Sequence, residues 1–322
     1  MKRFFSWVLI LALVVTMLPV ALFAAAEGDA EELPAEAVAI RTVEDLDKIG
    51  YEYPLDGYYY LACDIDLTAA TSRNGDYYNE GAGWLPIGTQ SMPFTGTFDG
   101  CGFTITGLNI NRPTEVRVGF FGAIKDASIK NVNFVNTNIT GKKTVGLVGY
   151  ASGASVISNI HSSNSAVTAE EEGGGIAGAI ATTGGCEDCS HSGTVTGSNC
   201  GGILGRGNAT SCQNSGSVIF VYTYNRNEFT GIAGIVYSGI ATKCTNFATV
   251  TTQDRPGNAA GITVKGNCTL CGYYGEVYGR SGSQNSNVSS DGNACGVSIE
   301  GTVNQCFNLG NVHSPNTTPY AL

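Results

Sequence analysis

Apolar and polar residues alternate over short distances in this chain and show no sustained helical rhythm. Tyr58-Tyr59-Tyr60-Leu61 reads as a strand, and Asp64-Ile65-Asp66-Leu67 alternates with the period of two that half-buries a strand. Beyond them come short runs rich in Val, Ile and Thr, broken by Gly, Asn and Ser. That mixture suits many short strands joined by tight turns. Only Thr42-Val43-Glu44-Asp45-Leu46 looks helical, with a Thr cap and an acid three residues on. It predicts a short N-terminal helix, to about Ile49, that closes the first coil.

The runs repeat. Gly119-Phe120-Phe121-Gly122 returns as Gly146-Leu147-Val148-Gly149, Gly175-Ile176-Ala177-Gly178, Gly202-Ile203-Leu204-Gly205 and Gly231-Ile232-Ala233-Gly234. Looser copies begin at Gly261 and Gly296, so the first glycines stand 27, 29, 27, 29, 30 and 35 residues apart. A second phrase, Cys-x-Asn-x-Gly-x-Val, follows the later copies: Cys189 to Val195 with His191 in the Asn place, Cys212 to Val218, Cys244 to Val250, Cys271 to Val277 and Cys306 to Val312. Val132 to Ile139 and Ile160 to Val167 are earlier, longer forms.

Such a unit is too short to enclose a core, so units must stack. The predicted fold is all-β, a right-handed parallel β-helix, with coils about 4.8 Å apart and equivalent residues in columns. Cys189, Cys212, Cys244, Cys271 and Cys306 then form a buried structural ladder of small side chains, mostly as free thiols. The phrase Asn, and His191 in its place, is expected at a left-handed turn.

The Gly-Leu-Val-Gly phrase at 146–149 and its relatives resemble the bacterial repeat called the GLUG motif. Trp84-Leu-Pro-Ile-Gly88 through Phe98-Asp99-Gly100 to Gly107-Leu108-Asn109-Ile110 resembles the segment that often precedes it. The resemblance spans residues 40–312. It implies an extracellular bacterial protein, of a kind also found beside immunoglobulin-A-cleaving metallopeptidase domains. It implies no catalytic residue here, because His-Glu-x-x-His is absent.

Residues 1–26 read as a signal peptide: Lys2 and Arg3, an apolar run from Phe4 to Phe23, then Ala24-Ala25-Ala26. Residues 27–40 read as an acidic linker, 41–118 as cap and first coils, and 119–322 as repeats. The ten residues after Val312 form no convincing cap, so either the tail folds over the last coil or the natural polypeptide continues, and the second reading is favoured. Cleavage removes two of 17 basic residues and none of 27 acidic ones, leaving 15 against 27, net −12. A nucleic-acid partner is disfavoured by that charge, and no stable membrane insertion is expected after cleavage.

Candidate chemistry is sparse. Cys186-x-x-Cys189 and Cys268-x-x-Cys271 have zinc-like spacing, but Cys189 and Cys271 fall three coils apart, roughly 14 Å at 4.8 Å per coil. No metal or cofactor is therefore expected. Gly173-x-Gly175-x-x-Gly178 matches a dinucleotide fingerprint only because it lies within the repeat. Glu170-Glu171-Glu172 reads as a solvated loop that Glu187-Asp188 approaches. Tyr222, Tyr224, Tyr273 and Tyr274 are the candidate ligand-binding aromatics, for a host or bacterial surface protein or a glycan. The expectation is a secreted or cell-surface, non-catalytic, structural or adhesive protein. The alternatives are a polysaccharide lyase or hydrolase on the same scaffold, and a non-catalytic fragment of a larger surface protease.

Overall fold

Short strands cannot bury a face alone, and in the computed structural model each repeat is paired with the repeats before and after it. The structure describes residues 33–181, 184–221, 231–252, 257–279 and 294–313. The expected signal segment lies outside them. The paired coils belong to the unit from Glu36 onward.

Among the described residues, two stacks contain seven strands each, and a third contains 23 and wraps the remaining sides. The first stack runs from Arg117–Val118 to Ala294–Cys295, the second from Phe121–Lys125 to Ser298–Glu300. One coil visits Gly231–Ala233, Val236–Ser238, Ala241–Thr242, Thr245–Asn246 and Thr249–Thr251 in turn. Register is preserved through the later coils. Val218 pairs in parallel with Val250, Val250 with Val277 and Val277 with Val312. The architecture is an all-β parallel solenoid.

The core changes character along its length. Tyr59, Phe94, Phe98, Phe120, Phe121 and Phe134 fill the early coils, with neighbouring ring centroids 5.0–6.1 Å apart. Later coils fill the equivalent space with smaller groups. Ile129 is followed in its column by Ile157, Cys186, Ala209, Ala241, Cys268 and Val303. Each buried Ile or Phe stabilises the fold by roughly 1.5–3 kcal/mol, so the aromatic end carries more of the hydrophobic stabilisation per coil.

Two expectations about the phrases are corrected. Leu204 pairs with Val236 and Val236 with Thr263, which matches Gly202 with Gly234. Gly231 instead pairs with Asn199 in the first stack. The fifth copy is thus Gly234-Ile235-Val236, not Gly231-Ile232-Ala233-Gly234. Two Gly-Ile pairs stand three residues apart there, and only packing distinguishes them. Tyr237 and Val264 take the place of the second glycine, and with Ala233 and Ala260 they build a second small apolar cluster, with Ile299 packed against it.

The left-handed corner is not at the phrase Asn either. It falls at the residue before each ladder cysteine: Asp188, Ser211, Lys243, Leu270 and Gln305, all with φ between 51° and 55°. The earlier coils place Asn131 and Asn159 there, and Asn159 Nδ2 donates to Asn131 Oδ1 at 2.8 Å. Short amides tolerate that backbone; a side chain such as Leu270 costs about 1–2 kcal/mol more.

At the N-terminal end one helical turn spans Val43–Asp47, two residues short of Ile49. The Asp45 N–H donates to Thr42 Oγ1 at 3.1 Å, and Asp45 Oδ2 accepts from the Thr42 N–H at 3.1 Å, a reciprocal cap. Leu46 is buried beneath it.

Candidate functional site

The residues after each ladder cysteine alternate between the inside and the outside of the coil. His191, Asn214, Asn246, Tyr273 and Asn308 form one column, since His191 pairs with Asn214, Asn214 with Asn246, Asn246 with Tyr273 and Tyr273 with Asn308. The first four are buried. Asn214 Nδ2 donates to the Gly234 carbonyl at 2.8 Å, and Asn246 Nδ2 donates to that of Gly261 at 2.7 Å. Their Oδ1 atoms accept from the Gly216 and Ala248 N–H groups at 3.1 and 3.0 Å. Buried amides of this kind are satisfied and rigid.

His191 and Tyr273 interrupt that column. Neither ring nitrogen of His191 and not the hydroxyl of Tyr273 has a hydrogen-bond partner among the described residues. Burial alone pushes the imidazole down to about 4, so the ring is neutral at ordinary pH. Burial likewise raises the Tyr273 phenol well above its ordinary range. His191 is therefore an interior residue, not a turn residue. Tyr273 is 0 % exposed, which removes it from the candidate ligand-binding aromatics. The period-of-two pattern put one of Tyr273 and Tyr274 outside; the corner geometry chose Tyr274.

Tyr222 and Tyr224 lie outside the described residues. Tyr274 does face outward, and it has neighbours that the sequence pattern did not single out. Phe247 occupies the same position one coil earlier, with ring centroids 4.9 Å apart and planes 14° apart. Phe307 meets Tyr274 edge to face at 5.3 Å. Leu309 occupies the Tyr274 position one coil later and is 73 % exposed. The signal was present: Phe247, Tyr274 and Leu309 each directly follow the inward residue of their phrase. Phe247 and Tyr274 thus lie face to face. An adjoining pair, Tyr278 and His313, also stacks, at 4.4 Å and 6°.

The ladder cysteines Cys189, Cys212, Cys244 and Cys271 are buried, and Cys306 is partly so. All five carry free thiols. Hydrogen bonding from Cys212 and burial hold the Cys244 thiol up at about 12. Among the described residues no three of His, Cys, Asp and Glu are arranged to hold a metal ion.

The acidic run is engaged by bases on neighbouring coils. Glu171 lies 3.4 Å from Lys143, and Glu172 lies 3.4 Å from Arg206. Burial raises the Glu172 carboxyl, and Arg206 and then Lys143 oppose that rise. Glu187 belongs to a different stack: it pairs with Ser158 and Thr210, whereas Glu172 pairs with Thr144 and Asn199. Glu187 and Glu172 thus stand in separate columns.

No family model matches the chain. It is 35% identical over 124 residues to halomucin of Haloquadratum walsbyi, and 34% identical over 142 residues to a candidate Gly-rich membrane protein of Evansella cellulosilytica. These matches cover 37% and 43% of this chain, but only 1% and 15% of those proteins. The fold is similar to that of a candidate immunoglobulin A1 protease from Bacteroides ovatus, with a TM-score of 0.60. That match covers 83% of this chain and 84% of the other at 18% identity, so it shows the fold alone. Among the described residues no helix is long and apolar enough to cross a membrane.

Proposed function

We propose that this chain is a non-catalytic, extracellular or cell-surface solenoid that presents an apolar aromatic row to a protein partner. The row Phe247, Tyr274 and Phe307, exposed at 45 %, 42 % and 42 %, carries the reading. Clustered exposed aromatics on a soluble scaffold mark interaction surfaces. Sugar stacking needs an open ring face, and Phe247 and Tyr274 each turn one face to the other, which favours protein over glycan. The names of the partial relatives, a mucin-like and a membrane-associated protein, support a surface location. Residues 1–26 act in this reading as a removed signal peptide. The coils wind to the right, and the Val43–Asp47 turn caps their first edge.

The test is binding of the purified chain to immobilised immunoglobulins, extracellular-matrix proteins and a glycan panel. The expected result is binding to a protein that falls at least tenfold in a Phe247→Ser/Tyr274→Ser variant with an unchanged circular dichroism spectrum. Binding confined to glycans, or equal binding by the variant, would overturn the aromatic row as the contact surface. Product release from any glycan would overturn the absence of catalysis.

A further inference from the structure

We propose that Cys186 and Cys212 are the site of an oxidative cross-link between adjacent coils. Their sulfurs lie 3.8 Å apart, in van der Waals contact, on residues 26 apart in sequence.

The arrangement arises from how the ladder thiols lean. Three of them, Cys212, Cys244 and Cys271, reach down to the residue that lies three places before their counterpart in the coil beneath. Cys244 Sγ stands 3.4 Å from the Ala209 carbonyl oxygen, Cys271 Sγ 3.4 Å from that of Ala241, and Cys212 Sγ 3.5 Å from that of Cys186. In two of these three places the lower residue is alanine and nothing can bond. At Cys186 it is a second thiol. Vertical neighbours within the ladder are poorer candidates, because side chains in one column run parallel about 4.8 Å apart, beyond the Cβ separation of about 3.5–4.5 Å that a disulfide prefers. Cys186 and Cys212 come from different columns, on opposite sides of a corner, so their sulfurs converge.

The reaction is thiol–disulfide exchange with a small-molecule disulfide as oxidant. One thiolate attacks it and releases one small thiol, leaving a mixed disulfide. The second protein sulfur then displaces the other small thiol. The two protein S–H bonds are lost, one S–S bond forms, and the two electrons and two protons leave on two molecules of small thiol. Both thiols are 1 % exposed, so exchange takes place as the coil above docks during folding, and the finished bond is shielded from reduction. An oxidising setting rests on the extracellular reading above. The chemistry does not, because it is tested on purified chain.

The chain is denatured, refolded in excess oxidised glutathione, acid-quenched, alkylated, digested and mapped by mass spectrometry. The expected result is a Cys186–Cys212 linked peptide pair, two hydrogen masses lighter than the separate thiols, that disappears under denaturing reduction. Free thiols fall by two per chain. Cys186→Ala loses the linked pair and keeps its fold, since Ala209 and Ala241 occupy the same column. Full alkylation of both cysteines after refolding would overturn the proposal, as would linkage of Cys212 to Cys189 or Cys244 as often as to Cys186. The wild-type map decides even if the variant does not fold. Failure here leaves the aromatic surface untouched, and failure of the binding panel leaves this bond untouched.

Discussion

The side-chain amide of Asn246 occupies the space beside Gly234, where Nδ2 lies 2.0 Å from the point at which a Cβ would stand. The same relationship joins Asn214 to Gly202 at 2.1 Å and His191 Cγ to Gly175 at 2.3 Å. The two repeating phrases therefore occur together because they touch: the first glycine of one makes room for the inward side chain of the other.

Gly234→Ala should accordingly be severe. The added methyl meets both Asn246 Nδ2 and the Gly261 carbonyl oxygen, at 2.0 and 2.1 Å, and the carbonyl is backbone that cannot rotate away. We expect a loss of about 2–4 kcal/mol, from overpacking plus a damaged buried hydrogen bond. Urea denaturation checks the size, and hydrogen exchange should show the loss concentrated around the Gly231–Thr251 coil.

Acid should weaken the fold through His191. Its folded value of about 4 lies below the ordinary 6.5. Between those values the unfolded chain binds a proton that the folded chain does not, so the contribution is complete above pH 6.5 and is lost as pH falls towards 4. At pH 5 the loss is about 2 kcal/mol. His191→Asn removes that titration and places an amide in a column of amides. The expected outcome is a smaller fall in urea midpoint between pH 7.5 and 5.0 for the variant. Equal falls would mean that the imidazole is not buried neutral.

Phe247→Ala tests the outer row as structure rather than as binding surface. Removing one member of a stacked pair should cost about 1 kcal/mol. Thermal unfolding should show a small shift, far below that of Gly234→Ala. A collapse of the fold would show that the row is a structural element and not a spare surface.

Ala241→Cys recreates the Cys186 arrangement two ladder positions further along. Cys271 already leans to 3.4 Å from the Ala241 carbonyl oxygen. Refolding in oxidised glutathione should give a new 241–271 linked peptide, and reduced glutathione should give none.

Much of the architecture was legible in the residues. Columns of Val and Cys at a near-constant period require stacked parallel coils, and the reciprocal Thr42–Asp45 cap was visible as a motif. The site was less so. Tyr273 and Tyr274 are adjacent aromatics of one type, and nothing in their chemistry says which is 0 % and which is 42 % exposed. Phe247 drew no attention because its partner is 27 residues away in the chain.

The sequence by itself determined the repeat, because a short unit with buried Val and Cys has no stable form except a pile of its own copies. It also determined that the interior would be filled mainly by apolar side chains. Tertiary structure decided the direction of each side chain. That direction depends on which residue takes the left-handed corner, Lys243 rather than Asn246, and a corner moved by a few residues rotates every later side chain in the coil. It also decided that Gly234, not Gly231, stands above Gly202, and that Cys212 leans towards Cys186. A period specifies how far apart equivalent residues lie along the chain, whereas contacts between columns depend on angles that only packing sets.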